Sequence, residues 1–163
     1  MVKKFKIKIF ADGADLKSII DLNKKKYISG FTTNPSLMKK AGIRNYKKFA
    51  FTVLRLIKNK PVSFEVFADD LATMKYQARE ISTWGKNVYV KIPVTNSKGK
   101  STNKIISELS KEGINLNITA IFTKKQVKDT IKALDKNSKS IISVFAGRIA
   151  DTGVDPSSII KND

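Results

Sequence analysis

Short apolar segments alternate with amphipathic helical segments along the chain, and this alternation constrains the fold more strongly than any other feature. The apolar segments recur about every 26 residues and are rich in Val, Ile and Phe, which favours β-strands. Strands separated by helices pair in parallel through right-handed crossovers. The predicted strands are 5–12, one that ends near Thr32, 62–67, 87–95, 114–121 and, with its following loop, 140–148.

Helical segments fill the intervals between these strands, and their apolar residues are spaced to give each helix one buried face. Pro35 and Ser36 open a short helix at Leu37. A later helix is expected to be capped by Ser101 or Thr102. The other predicted helices are 15–22, 49–57, 70–84, 101–109 and 124–134.

The unusual polar residues lie in or at the ends of the predicted strands, which favours a (β/α) barrel. In such a barrel these positions converge at the carboxyl-terminal face, where active sites are built. A Rossmann domain is disfavoured, because the turn at 11–15 lacks the Gly-rich phosphate-binding pattern. We therefore predict an α/β fold of the barrel type, with residues 1–163 in a single domain.

A single lysine, Lys91, lies in the apolar, β-branched segment 87–95. A run of this kind is typical of a strand that is buried on both faces of a parallel sheet. Loss of hydration favours the neutral amine, which is the nucleophile that a Schiff-base enzyme needs. The alternative is that the lysine extends out of a strand end into water, and the local spacing is compatible with both.

Other polar residues interrupt apolar strands in the same way. Glu65 is a lone carboxylate within the segment 62–67, and a salt bridge to a neighbouring strand is its simplest explanation. In the fifth predicted strand, Asn115, Asn117 and Thr119 share one face. Polar groups on a buried face need partners, so this face suggests a binding site.

The chain has no cysteine and no histidine, which excludes several classes of chemistry. Serine and cysteine hydrolases that use histidine, thiolate nucleophiles, and zinc sites built from Cys or His are all ruled out. Two Asp-rich turns, 11–15 and 151–155, are better explained by turn geometry than by cation binding. We therefore expect no metal site.

The formal net charge of +18 raises the question of nucleic-acid binding. The basic residues are nearly all lysines, scattered without aromatic residues between them, which favours a solvated surface over a nucleic-acid interface. A positive field also suits a small anionic substrate such as a sugar phosphate. Charges at alternate positions in 1–10 differ from a signal peptide, and no segment is long enough to span a membrane, so we expect a soluble cytoplasmic protein.

Five segments in order resemble the transaldolase family, whose near relatives are the fructose-6-phosphate aldolases. The similar segments are 10–12, 30–37, 90–95, 117–122 and 143–151. The resemblance implies a (β/α)8 TIM barrel and a class I, Schiff-base transferase that needs no cofactor. It further implies transfer of a dihydroxyacetone unit between sugar phosphates, the chemistry of the pentose phosphate pathway.

The resemblance also implies a role for each of four catalytic residues. Lys91 would form the Schiff base with the ketose carbonyl, and Asp12 would be the acid/base at the C4 hydroxyl. Glu65 with Thr119 would position the water of dehydration and hydrolysis. Because the related aldolases have Gln where this chain has Glu65, a transferase is favoured over a lyase that only cleaves.

Five further residues are implied to bind the substrate. Asn34 and Asn117 would hold the lysine and the substrate hydroxyls, and Thr32 would support them. Ser143 would contact the C1 hydroxyl end, and Arg148 would bind the phosphate.

The sequence departs from the family pattern in its number of strands. A barrel of this family has eight strands, and the sequence printed here ends at Asp163, after strand 6. We expect that the chain is an incomplete fragment, or that a partner chain or a homo-oligomer covers the open sheet edge. An inactive remnant that binds sugar phosphate without turnover is the alternative to an active enzyme.

Overall fold

The computed structural model describes residues 7–161 and contains one sheet of six strands. The strands follow chain order across the sheet, and each is parallel to its neighbours. The sheet curls into an open half-barrel, which confirms the predicted barrel-type architecture with six strands. The strands are β1 Ile9–Asp12, β2 Ile28–Thr32, β3 Val62–Glu65, β4 Val88–Pro93, β5 Leu116–Ile121 and β6 Ser140–Val144.

Helices connect the strands, and right-handed crossovers between neighbouring parallel strands place these connections on one face of the sheet. Consecutive connecting helices contact one another, as the α4–α5 and α5–α6 pairs show. The helices are α1 Leu16–Asn23, α2 Pro35–Lys40, α3 Tyr46–Leu56, α4 Leu71–Ser82, α5 Asn103–Lys111, α6 Lys124–Ala133, α7 Ala146–Ala150 and α8 Ser157–Ile160.

Several predicted boundaries were wrong: β1 begins at Ile9, β3 ends at Glu65 and β4 ends at Pro93. Helix α3 begins at Tyr46 and not at residue 49, because the Asn45 side chain accepts a hydrogen bond of 2.9 Å from the Lys48 N–H and starts the helix early. The segment after β6 was predicted as a loop and forms helix α7. Residues 5 and 6 of the predicted first strand lie outside the described residues.

The cap of helix α5 also differs from the prediction. Thr102 occupies the N-cap position, but its side chain makes no capping hydrogen bond. Its buried hydroxyl instead donates to the Pro93 carbonyl at 2.7 Å, which ties the start of α5 to the end of β4. The Ser101 hydroxyl accepts from the Asn103 N–H at 3.2 Å. Thr102 therefore anchors the strand that contains Lys91.

The apolar core lies between the helices and the outer face of the sheet. Alternate strand residues such as Phe64, Val90, Ile92 and Ile118 have no exposed surface there. Burying a side chain of this size stabilises the fold by about 1.5–3 kcal/mol. This core fixes the positions of β3, β4 and β5, and thereby the positions of the intervening residues.

The strand residues that alternate with these core residues point to the concave inner face of the sheet and are mostly polar. Successive side chains alternate between the two faces of a strand, and residues in register on parallel strands lie side by side. Glu65, Lys91 and Asn117 form one such row across β3, β4 and β5. Asp12 and Thr32 belong to a second row, on β1 and β2. The concave face is therefore where a site is expected.

Gly30 permits the close packing of β1 on β2, since it is in register with Phe10. A Cβ at this position would lie 2.3 Å from Phe10 Cε1 and 2.9 Å from Pro61 Cγ. We predict that Gly30→Ala lowers the free energy of unfolding by about 1–3 kcal/mol through overpacking, as measured by urea denaturation.

The control is Gly147→Ala in α7, where an added Cβ has no atom within 4 Å. It should leave stability unchanged or raise it slightly, by up to about 1 kcal/mol. Equal urea midpoints for Gly30→Ala and the unmodified chain would show that the Phe10 ring does not pack over β2.

Candidate active site

Lys91 is buried in β4, with 8% of its surface exposed. Its Nζ lies 3.3 Å from Oε2 of Glu65, which is its register neighbour on β3. The side chain therefore does not extend into water, and that alternative is wrong. The predicted salt bridge from Glu65 to a neighbouring strand is confirmed, and its partner is Lys91.

The electrostatic setting of Glu65 makes it ready to carry a proton. Burial raises the pKa of its carboxyl group, the Lys91 ammonium lowers it, and the Asp12 carboxylate raises it, with a net upward shift. A carboxyl group with a raised pKa exchanges protons closer to neutral pH than an exposed one does.

Tyr46 supports the end of β3 from the helix side. Its hydroxyl donates a 2.9 Å hydrogen bond to the Glu65 carbonyl oxygen. Burial, with the Glu65 charge, raises the pKa of Tyr46 above its usual range, so the hydroxyl stays a donor. The Tyr46 ring packs edge-on against Phe64, Phe67 and Trp84. This packing fixes the backbone that carries Glu65.

Asp12 lies at the carboxyl end of β1, on the same concave face. The Thr32 hydroxyl donates to Asp12 Oδ1 at 2.8 Å, and the two residues are in register on neighbouring strands. Asp12 is exposed, so its carboxylate is open to a ligand from the concave side. The hydrogen bond fixes the position of one of the two carboxylate oxygens.

Asn117 is held by two serines from two strands. Its Nδ2 donates to Ser63 Oγ at 3.0 Å, and Ser143 Oγ donates to its Oδ1 at 2.8 Å. These bonds fix which side of the amide donates. The sequence analysis missed Ser63, although its position two residues before Glu65 puts it on the same face of β3.

Thr119 is buried, and within residues 7–161 its hydroxyl has no hydrogen-bond partner. The next residue, Ala120, has a φ of 58° at a register shift in β5. This left-handed conformation costs an alanine about 1–2 kcal/mol, and strain of this kind is concentrated at functional sites. An unsatisfied buried hydroxyl beside strained backbone is suited to bind water or substrate.

Three other predicted polar residues make hydrogen bonds or ion pairs outside this cluster. Asn34 Oδ1 accepts from the Leu37 N–H at 2.9 Å and so caps α2. Arg148 lies on α7 with 76% of its side chain exposed, and its guanidinium is 3.7 Å from Asp151. Asn115 precedes β5, and its amide donates to the Val88 carbonyl at the opposite end of β4.

Two features are absent from the described part of the chain. Residues 7–161 contain no group of three or more Asp or Glu side chains arranged to hold a metal ion. None of the helices in this range is both long and apolar enough to cross a membrane.

Comparison with known proteins gives matches along nearly the whole chain. Residues 9–162 match the family described as Transaldolase/Fructose-6-phosphate aldolase. A protein named "Probable transaldolase" from Dehalococcoides mccartyi is 40% identical over 156 residues, which are 96% of this chain and 68% of the relative. Relatives of the same name from Streptococcus agalactiae and Methanococcus maripaludis are 38% and 39% identical, over 96% and 91% of this chain and 68% and 65% of theirs.

The Glu65–Lys91 pair yields a prediction about proton affinity. Removing the ammonium by Lys91→Met should raise the pKa of Glu65 further, because the lysine charge opposes the effect of burial. Asp12→Asn should lower it. Carbon NMR titration of labelled glutamate carboxyl groups measures both shifts, and Lys75→Met, which removes the partner of Glu108, should leave Glu65 unchanged.

The sign of the stability effect follows from the same shift. Since the folded-state pKa of Glu65 lies above its unfolded value, its contribution to stability is present below the unfolded pKa. That contribution is lost as the pH rises through the folded-state pKa.

In the NMR titration, a Glu65 pKa that falls in Lys91→Met would contradict the pairing of Glu65 with Lys91.

Proposed function

Because the chain belongs to the Transaldolase/Fructose-6-phosphate aldolase family, we propose that it transfers a dihydroxyacetone unit between sugar phosphates through a Schiff base on Lys91. The observation that carries the proposal is the buried lysine, 3.3 Å from a carboxylate on the adjacent strand. Such a lysine is shielded from water and has a proton acceptor within reach.

The first step is the formation of the Schiff base. Glu65 accepts the proton of the Lys91 ammonium, and the neutral amine attacks the ketose carbonyl carbon to give a carbinolamine. The carbinolamine then loses its hydroxyl group as water, with a proton supplied by Glu65, and an iminium ion remains. Thr119, whose hydroxyl has no hydrogen-bond partner within residues 7–161, holds this water beside Glu65.

The second step breaks the bond between C3 and C4 of the ketose. Asp12 takes the proton of the C4 hydroxyl, the aldose phosphate leaves, and the electron pair of the bond moves into the iminium to give an enamine. The hydrogen bond from the Thr32 hydroxyl orients the Asp12 carboxylate for this transfer. Addition of the enamine to a second aldose phosphate reverses the steps and returns the proton.

Polar residues around the cluster bind the substrate. Asn117 is oriented by its serine contacts to bind hydroxyl groups, and Ser143 contacts the C1 end. Asn34, whose Oδ1 caps α2, contributes its amide N–H groups to substrate binding. Arg148 binds the phosphate, and its exposed guanidinium exchanges Asp151 for the anion. We propose that the enzyme acts in the pentose phosphate pathway in the cytoplasm.

A trapping experiment tests the covalent step. Incubation with fructose 6-phosphate and borohydride should reduce the iminium and leave a stable dihydroxyacetone-derived or hexose-derived adduct on Lys91, detected by peptide mass spectrometry. Lys91→Met should give no adduct at all. The control Lys75→Met removes another partly buried, paired lysine on α4 and should be labelled like the unmodified chain.

Absence of the adduct from folded protein would reject the mechanism. An adduct that is spread over exposed lysines, and that is equally abundant in the Lys91→Met variant, would also reject the mechanism.

A second experiment separates transfer from cleavage. With fructose 6-phosphate alone, a transferase should release little free dihydroxyacetone, whereas erythrose 4-phosphate as acceptor should release glyceraldehyde 3-phosphate. Steady release of dihydroxyacetone without an acceptor would instead identify a fructose-6-phosphate aldolase-like lyase. Glu65→Gln should reduce transfer by tenfold or more, since it removes the group that moves protons and holds water.

A further inference from the structure

A second pocket is formed by segments that follow the carboxyl ends of β2 and β3. Its volume is about 590 Å³, which is within the range of small-molecule sites. Helix α2, the connection from α2 to α3, the start of α3 and Phe67 after β3 line it. None of the four catalytic candidates is among the described residues that line this pocket. It is therefore a separate place at which a ligand can bind.

Two basic side chains line this pocket without an acidic partner. Lys39 lies in the last turn of α2, and Arg44 lies in the connection to α3; both are exposed. Among residues 7–161, neither of them forms an ion pair. The neighbouring Lys47, in contrast, lies 2.8 Å from a carboxylate oxygen of Glu80. The two unpaired positive charges favour an anionic ligand.

An exposed aromatic ring forms another wall of the pocket. Phe67 has 52% of its surface exposed, and its ring packs edge-on against Tyr46 with 4.7 Å between the centroids. Gln77 Oε1 accepts hydrogen bonds from the N–H groups of Phe67 and Ala68, at 2.8 and 2.9 Å, which hold this loop in place. A fixed and exposed ring of this kind offers surface on which a planar apolar group can pack.

We propose that this pocket binds a nucleoside monophosphate, with its phosphate between Lys39 and Arg44 and its base packed on Phe67. A phosphate monoester carries about 1.5 to 2 negative charges at pH 7, which matches two cations. The planar guanidinium of Arg44 suits two phosphate oxygens at once. Every nucleobase has a flat face that can pack on an aromatic side chain.

Smaller and larger phosphate ligands match the pocket less well. Inorganic phosphate and sugar phosphates have no planar apolar group for the exposed Phe67 ring to contact. Surfaces that bind nucleic-acid strands stack successive bases on several rings, whereas this pocket presents one exposed ring. A free nucleotide uses both the two charges and the ring.

Another pocket that combines basic and aromatic residues lies at the end of α3 and provides a matched control. Phe51, Arg55 and Trp84 are among its lining residues, and its volume is about 320 Å³. The Arg55 Nε–H already donates to the Phe51 carbonyl at 3.4 Å. The smaller volume and the engaged arginine make this pocket the weaker candidate for the same ligand.

Isothermal titration calorimetry of the full 163-residue chain with adenosine 5′-monophosphate tests the proposal. We expect one site per chain, with a Kd below about 1 mM. Adenosine and inorganic phosphate should each bind at least about tenfold more weakly, because each lacks one of the two recognised groups. Lys91→Met should bind the nucleotide like the unmodified chain, so the outcome does not depend on the proposed Schiff-base chemistry.

Two pairs of variants locate the site. Arg44→Gln should weaken nucleotide binding at least about tenfold, whereas Arg55→Gln, which removes the same charge from the other pocket, should not. Phe67→Leu should also weaken binding, whereas Phe122→Leu should not. Phe122 is a matched control because 41% of its surface is exposed and its ring packs edge-on against Phe145 at 5.6 Å.

Several outcomes would overturn the proposal. Equal affinity for the nucleotide and for inorganic phosphate would show that the ring contributes nothing. Loss of binding in Arg55→Gln but not in Arg44→Gln would place the ligand in the other pocket. Absence of binding to the folded chain would reject the site outright. Tighter binding of an adenine oligonucleotide that Arg44→Gln leaves unchanged would point to the basic surface as a whole.

Discussion

The pairing of Lys91 with Glu65 across β3 and β4 is the interaction on which the remaining features of the concave face depend. Removing an ammonium and a carboxylate from water costs several kcal/mol per ion, and their attraction offsets this cost only with good geometry. The geometry here comes from the register of two strands that are held by the apolar core on their outer face. The packing on the apolar face of the sheet thus fixes the distance between the charged groups on the polar face.

Much of this arrangement could be predicted from the sequence, since it depends on periodicity. The alternation of apolar segments with helices was enough to predict a parallel sheet. Lys91 and Glu65 could be recognised as candidates because each is a charged residue in an apolar strand. Contacts between distant strands could not be predicted in this way: Ser63 looks like an ordinary strand serine until Asn117 is placed beside it. The same limit applies to Thr102, where a tertiary bond to Pro93 replaces the local cap.

Strand β6 has two functions that depend on each other. Through Ser143 it takes part in the network around Asn117, and through its open side it forms the edge of the sheet. A half-buried strand opens more readily than a central one, so the order of the Asn117 amide is linked to the protection of this edge. The state of β6 therefore determines how rigidly the Asn117 amide is held on the concave face.

The aromatic cluster behind β3 has an optical consequence. Trp84 is the single tryptophan of the chain, and its ring centroid is 5.3 Å from that of Tyr46. The Tyr46 hydroxyl in turn donates a hydrogen bond to the Glu65 carbonyl oxygen. Indole emission shifts with local polarity and with quenching by neighbouring groups. The chain thus contains an intrinsic fluorophore two contacts from its central carboxylate, which reports rearrangements there without any attached label.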